Sequence, residues 1–273
     1  MRPRRITEKT TRPAAGLFVS ALALISAAPI LFIASVSFSS GGELFAGNIL
    51  PTGFTLDNYR TLFSQTHFLK WVGNSMIVAS STALIAVVIT SLSAWTLSRY
   101  RFLGRSAIAS GLFLVQLFPG VMSLVAIYKI LQFLRILDTH GALVLVYLGG
   151  AVPFATWILK GFYDTISPSL EQAAYLDGAG PLVVYCWIVL PMSLPMLSAV
   201  FAFTFIAAYS DFLLAAVVLT DERLYTLALG LRTFLEGDFS TNWSVFSAAA
   251  LLGSIPIVGM FGVVMLTGAT KRQ

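Results

Sequence analysis

The residue whose chemistry most needs explaining in this chain is Asp211. It stands in Tyr209-Ser210-Asp211, a polar interruption between an apolar run through Phe205 and another from Phe212 to Leu219. The 273 residues are 57% hydrophobic and 11% charged, with a mean hydropathy of +0.85. That composition excludes a soluble domain and implies a polytopic membrane protein. A carboxylate at membrane depth is costly. It marks a solute or ion pathway, or it accepts hydrogen bonds from a neighbouring helix or sits at the outer interface. Gln116, Tyr147, Trp157, Tyr209, Ser210 and Asp211 are the candidate pathway residues, since polar and aromatic side chains suit a hydroxylated solute. Packing or interfacial anchoring accounts for each of them as well.

No other centre offers chemistry. There is no GxxxxGK[ST] loop for ATP, no nucleophile elbow and no paired carboxylates. The single cysteine, Cys186, cannot form an intrachain disulfide, and with two histidines a metal site is not expected. The chain is therefore expected to be non-catalytic, binding no cofactor or metal itself. Its net charge of +5 does not form an aromatic-interleaved patch for nucleic acid; the basic residues follow membrane topology instead.

A second polar stretch, Ser167 to Pro195, lies between two strongly apolar blocks. Ser167 is a helix N-cap and Pro168 fits the first helical position, where its missing N–H costs nothing. Glu171 lies near the positive end of the helix dipole. Leu170, Ala173, Ala174 and Asp177 recur on one face, and Gly178 is a ready residue for the helix end. Gly180-Pro181 forces a turn before a second helical segment that meets Pro191 and Pro195. The reading is a short helix, a bend, and a second helix entering the membrane; an ordinary amphipathic connector has the same local features.

This stretch also resembles the EAA loop of ABC importer permeases, patterned EAA, three residues, Gly, nine residues, I-x-LP. The matching residues are Gln172-Ala173-Ala174, Gly178 and Ile188-Val189-Leu190-Pro191; Gln172 replaces the motif glutamate, and Glu171 stands one place earlier. The resemblance implies a cytoplasmic loop whose helix docks on an ATP-hydrolysing subunit, through Leu170, Glu171, Gln172, Ala173, Ala174, Asp177, Gly178, Ala179, Ile188, Leu190 and Pro191. Leu137 to Gly141, Tyr147 to Gly150, Ile206 to Ala208 and Tyr225 to Gly230 are similar to the MalG-type permeases of maltose/maltodextrin importers. That likeness covers most of residues 138–256, and the first hundred residues match mainly in layout. It implies a type I ABC importer fold and a loop reaching an extracytoplasmic solute-binding protein through Phe234, Glu236, Asp238, Phe239 and Trp243. It further implies a second, homologous permease and two ATP-binding subunits, which would carry ATP and Mg. The ending from Gly268 to Gln273 departs from the longer tail of such permeases.

The elements that must position these residues are six membrane spans. Basic residues from Arg2 to Arg12 form a cytoplasmic tail over 1–13, followed by a first, uncleaved span over about 14–36. A polar loop over about 37–70 lies outside and contains Asp57-Asn58-Tyr59, a turn or cap signal. The second span runs from Trp71 to Leu97 and ends at Ser98 to Arg105, whose three arginines mark a solvated cytoplasmic loop. The third, Ala107 to Ile130, is bent or broken at Phe118-Pro119-Gly120. The fourth covers Ala142 to Leu159, with Gly149-Gly150 allowing close packing and Lys160 snorkelling to the interface. The loop over about 161–191 is cytoplasmic by alternation. A fifth span from Ile188 and an outside loop over about 220–244 precede the sixth span, Val245 to Leu266, and a tail at 269–273.

The expectation is thus an all-α, six-span permease domain over 14–268 in a bacterial or archaeal inner membrane, both termini cytoplasmic. It would be the lipid-embedded half of an ATP-driven importer for maltose, maltodextrin or a related sugar. Two alternatives are the same machine for a non-sugar solute such as glycerol phosphate, and an ion-coupled secondary carrier using Asp211.

Overall fold

A computed structural model of the chain describes residues 8–40, 53–117, 120–235 and 242–269. The chain starts with α1 (Glu8–Ser37), α2 (Asp57–Gln65) and α3 (Phe68–Arg99). Then come α4 (Arg105–Gln116), a 3-10 turn at Gly120–Ser123, α5 (Leu124–Phe133) and α6 (His140–Thr165). The short α7 (Pro168–Leu176) and α8 (Pro181–Val184) lead through a π turn at Tyr185–Val189 into α9 (Leu190–Ser210). α10 (Leu213–Val218), a 3-10 turn at Glu222–Leu224, α11 (Leu227–Arg232), α12 (Trp243–Gly253) and α13 (Ile255–Ala269) follow.

Among the described residues, five helical segments are long and apolar enough to cross a membrane. They are Phe18–Ser37, Phe68–Arg99, His140–Thr165, Pro181–Ser210 and Trp243–Gly262. A sixth is divided into Arg105–Gln116 and Gly120–Phe133, which are bent by 92°. The all-α membrane architecture expected from composition is found, with the third span broken where a bend was expected; Phe118 and Pro119 lie outside the described residues. The bounds differ most at the fourth and fifth spans. The fourth covers His140–Thr165, and the Thr139 hydroxyl accepts the Ala142 N–H at 3.1 Å and caps its start. The fifth begins at Pro181 rather than Ile188. Pro191 does not stop it, because the turn before it widens and the Leu190 N–H bonds the Tyr185 carbonyl five residues back. A wider turn makes room for a proline ring that a regular helix would clash with.

The chain divides into two compact units. In the first, Met1–Thr66 with Thr233–Leu252, Asp57-Asn58-Tyr59 opens α2 and ties it to the end of α1. The Asn58 side-chain amide donates to the Ser37 and Ser39 carbonyls, both at 2.9 Å, and the Tyr59 hydroxyl bonds the Ser37 hydroxyl at 2.7 Å. These bonds satisfy carbonyls that the helix end leaves open.

The second unit, His67–Arg232 with Gly253–Gln273, is organised by α3, which packs along α6 and α9. A core of Ala94, Trp95, Leu159, Tyr163, Val184, Tyr185 and Val189 joins the ends of α3 and α6 to α8 and the π turn. The start of the segment after α10, expected as an outside loop, is clasped. The Thr220 and Asp221 N–H groups donate to Asp138 at 2.8 and 3.1 Å. Burial pulls the Asp138 pKa up, but these backbone bonds outweigh it and hold the carboxyl below the usual range. The Asn74 side-chain amide donates to the Arg223 and Tyr225 carbonyls, and the Leu227 N–H donates to the Ser75 hydroxyl at 2.7 Å. Polar residues of α3 thus do the work that water does for an exposed loop, so Thr226, Leu227 and Leu229 are buried.

Gly230 completes the clasp by admitting the Trp71 ring. A Cβ there would lie 2.3 Å from Trp71 Cδ2, whereas a Cβ at Gly149 meets nothing within 4 Å. Gly230→Ala should therefore destabilise the detergent-purified protein by about 1–3 kcal/mol, read as a lowered melting temperature. Gly149→Ala should leave it unchanged or raised, and equal effects of the two would contradict the close approach.

Candidate functional site

The stretch from Ser167 to Pro191 folds as a capped short helix, a turn and a helix start. The Ser167 hydroxyl accepts the Ser169 N–H at 3.4 Å, and Pro168 occupies the first turn. At the other end Gly178 has φ 88°. The Gly178 N–H bonds the Tyr175 carbonyl at 3.1 Å and the Ala179 N–H bonds the Ala174 carbonyl at 2.9 Å. Those two bonds form a Schellman ending, which needs the left-handed conformation that glycine adopts without cost.

What fixes this helix is Glu171, 3% exposed. Its carboxylate accepts from Arg99 Nε at 2.5 Å and from the Trp95 indole N–H at 3.2 Å. Arg99 also donates to the Ile166 carbonyl and the Ser98 hydroxyl, both at 2.9 Å. Ser98 in turn donates to Asp164, which pairs with Lys160 at 2.7 Å. The side chains of Arg99 and Glu171 are 12% and 4% exposed, so this is a largely buried pair in which both carboxylate oxygens and all three guanidinium nitrogens have a partner. One expectation changes. Of the three arginines in the loop from Ser98 to Arg105 only Arg101 is exposed: Arg99 turns inward, and Arg105 donates to the Leu97 carbonyl at 2.7 Å. Gln172 is exposed, and Glu171 carries the buried carboxylate.

The rest of α7 faces away from the core. Leu170, Ala173 and Asp177 are exposed, while Ala174, Ala179, Ile188 and Leu190 are half-buried against the core and Pro191 is exposed. Leu176, Leu182 and Trp187, 88%, 70% and 79% exposed, extend an apolar surface that sequence reasoning did not single out. Tyr175 leans back on the chain; its hydroxyl pKa is pushed up to about 12, by burial first and then by its hydrogen bond to Tyr100.

Within the spans, the structure brings together half of the candidate pathway residues. Gln116, Tyr147 and Asp211 line one open cavity of about 450 Å³, with Thr82, Gly150, Phe154 and Phe203. Asp211 caps α10: one oxygen accepts from the Tyr147 hydroxyl at 2.9 Å and from the Leu214 and Ala215 N–H groups at 3.0 and 3.3 Å. Gln116 donates to the Gly150 carbonyl at 3.1 Å. Trp157, Tyr209 and Ser210 are not part of it. Trp157 is half-exposed beside Phe113, Ser210 is exposed, and Tyr209 is buried with its hydroxyl on the Gly253 carbonyl at 3.0 Å. Of the expected binding-protein loop, Phe234 is 1% exposed and so is not presented at the surface. Trp243 is half-buried, edge-on to Phe246, and Glu236, Asp238 and Phe239 lie outside the described residues.

Long spans, a span broken beside a polar cavity, and a short helix pinned at the end of α3 are the build of a multi-pass membrane permease. The chain belongs to the family of binding-protein-dependent transport system inner membrane components, whose model matches residues 86–269. It is 33% identical over 245 residues to the maltodextrin transport system permease protein MdxG of Bacillus subtilis strain 168, covering 90% of this chain and 88% of that protein. It is 32% identical over 248 residues to the galactooligosaccharides transport system permease protein GanQ of the same strain, again covering 90% and 88%. Among solved structures, its fold matches a chain of a bacterial ABC transporter that imports the acidic polysaccharide alginate. That match has a TM-score of 0.80 at 22% identity and covers 97% of this chain and 99% of that one. Membership in this family sets aside the ion-coupled carrier.

The buried pair makes an energetic prediction. Arg99→Ala should cost about 3–5 kcal/mol, because it strands the buried Glu171 carboxylate, and Glu171→Ala should cost less, because Arg99 keeps the Ile166 carbonyl and the Ser98 hydroxyl. The double variant Arg99→Met with Glu171→Leu should cost less than the sum. Additive losses in thermal or denaturant unfolding would contradict the pairing.

Proposed function

We propose that this chain is one permease half of an ATP-driven importer that takes oligosaccharides from an extracytoplasmic binding protein, with maltodextrins the first candidates. The observation that carries the reading is α7: its buried Glu171 is tied to α3 and its outward side leaves Leu170, Ala173 and Leu176 exposed. An exposed apolar surface beside a water-facing loop is a partner site rather than a lipid contact. In this reading Leu170 to Ala179 dock on one of two ATP-binding subunits, which bind ATP and Mg, and Ile188 to Pro191 lead the motion into the membrane. Asp177 and Gly178 end the helix, and the exposed amide of Gln172 serves the docking face.

Topology supports the same arrangement. The arginines of the loop after α3 and the basic first residues assign that side, with both termini, to the cytoplasm. A second, homologous permease completes the pathway, and the segment around Glu236 to Trp243 meets the binding protein. The preference for sugars rests on the maltodextrin and galactooligosaccharide relatives.

The test is disulfide crosslinking from Ala173→Cys, in a Cys186→Ser background, to cysteines on the candidate ATPase in membranes, with maltodextrin uptake measured alongside. A crosslink whose yield changes with nucleotide is expected, and Leu176→Glu should stay in the membrane yet lose both ATPase association and uptake. No crosslink from any position between Leu170 and Ala179, with uptake indifferent to loss of the ATPase, would refute the reading.

A further inference from the structure

The cavity beside the broken span has polar chemistry that neither the fold nor the coupling segment uses. Asp211 spends one carboxylate oxygen on Tyr147 and the start of α10, while its other oxygen accepts no hydrogen bond among the described residues. Gln116 spends its amide N–H on Gly150, and its carbonyl oxygen is likewise unused. The cavity therefore offers free acceptors, and among the described residues no lysine or arginine lines it. Phe154 and Phe203, 52% and 65% exposed, add two ring faces. Its volume, about 450 Å³, lies within the range of small-molecule sites, which pair apolar walls with a few placed polar groups.

We infer that this chain itself carries a solute subsite, in which Asp211 and Gln116 accept hydroxyl hydrogens of a neutral sugar while Phe203 covers an apolar ring face. The inference rests on the importer reading and sharpens it. A neutral polyol brings its own donors and satisfies both acceptors. A phosphate or uronate brings more acceptors and a negative charge to a site that has a carboxylate and no cation. That charge would be desolvated without a partner, which costs far more than a hydroxyl does. The subsite thus favours neutral oligosaccharides and rejects anionic solutes such as glycerol phosphate.

The test uses the assembled importer in proteoliposomes, with its ATPase and binding protein, carrying Ala207→Cys, an exposed position in the cavity lining, in a Cys186→Ser background. The readout is the rate of N-ethylmaleimide labelling. Maltotriose at about twice its Kd should slow labelling about threefold, the simple occupancy factor. Glycerol 3-phosphate should leave the rate unchanged, and Gln116→Ala should abolish the maltotriose protection. No protection by maltotriose while ATP-driven uptake continues would overturn the subsite and leave the importer reading standing. Equal protection by glycerol 3-phosphate would overturn the selectivity for neutral solutes. Absence of ATP-driven uptake in the Cys186→Ser parent would overturn the importer reading, and this inference with it.

Discussion

Glu171 is taken out of water onto Arg99 and Trp95, and that contact joins a nine-residue helix to the end of a 32-residue one. A helix as short as α7 is marginal alone, because nucleation is unfavourable and nine residues add few bonds to repay it. Its Ser167 cap contributes on the order of 1 kcal/mol, and the Schellman ending satisfies carbonyls more than it drives folding. Leaving a buried carboxylate unpaired costs several times as much. The tertiary anchor therefore decides where α7 stands, and the caps decide where it begins and ends. By contrast the exposed pair Arg60–Asp57, 85% and 78% exposed, adds little.

The same logic of satisfied polar groups governs the breaks inside the spans. A helix that stops within a membrane leaves backbone N–H and carbonyl groups without water, so each stop needs a local partner. Asp211, directly after the fifth span, supplies it at the start of α10, and inside that span the wider turn before Pro191 accommodates a residue with no N–H. The cost of ending a helix beside the spans is thus met by a side chain. That is how Asp211 comes to line a cavity with Gln116: its capping duty occupies one carboxylate oxygen and leaves the other for a solute.

Local patterns were legible in the sequence, and partners across the fold were not. Ser167, Pro168 and Gly178 signal the ends of α7 because caps act over three or four residues. Apolar length revealed the spans, and Pro-Gly at 119–120 marked the break in the third. Glu171 looked like a dipole-stabilising residue and Arg99 like part of a topology signal, since their contact joins positions 72 residues apart. Trp95 and Arg99, four residues apart on one helix face, were a faint clue to it. The start of the fifth span was placed at Ile188 rather than Pro181 because the wider turn at Tyr185–Val189, which makes the two segments continuous, has no local signal in the sequence. Trp157, Tyr209 and Ser210 have residue types that suit a pathway as well as those of Gln116 and Asp211 do, and composition cannot tell which helix face meets a cavity. Phe234 was read as a surface contact, though it is buried, because the sequence around an aromatic ring in a loop carries no local signal for its direction.

If α7 is locked to α3, the two should move as one body when the ATPase works. Spin labels on Thr96→Cys in α3 and Ser169→Cys in α7, in a Cys186→Ser background, both exposed positions outside the docking face, measure this by pulsed electron resonance in the reconstituted importer. The account predicts one narrow distance distribution, the same without nucleotide and with ATP bound. A distance that shifts or splits on ATP binding would mean that α7 moves independently of α3, and would contradict the claim that the contact of Glu171 with Arg99 and Trp95 locks the two helices together.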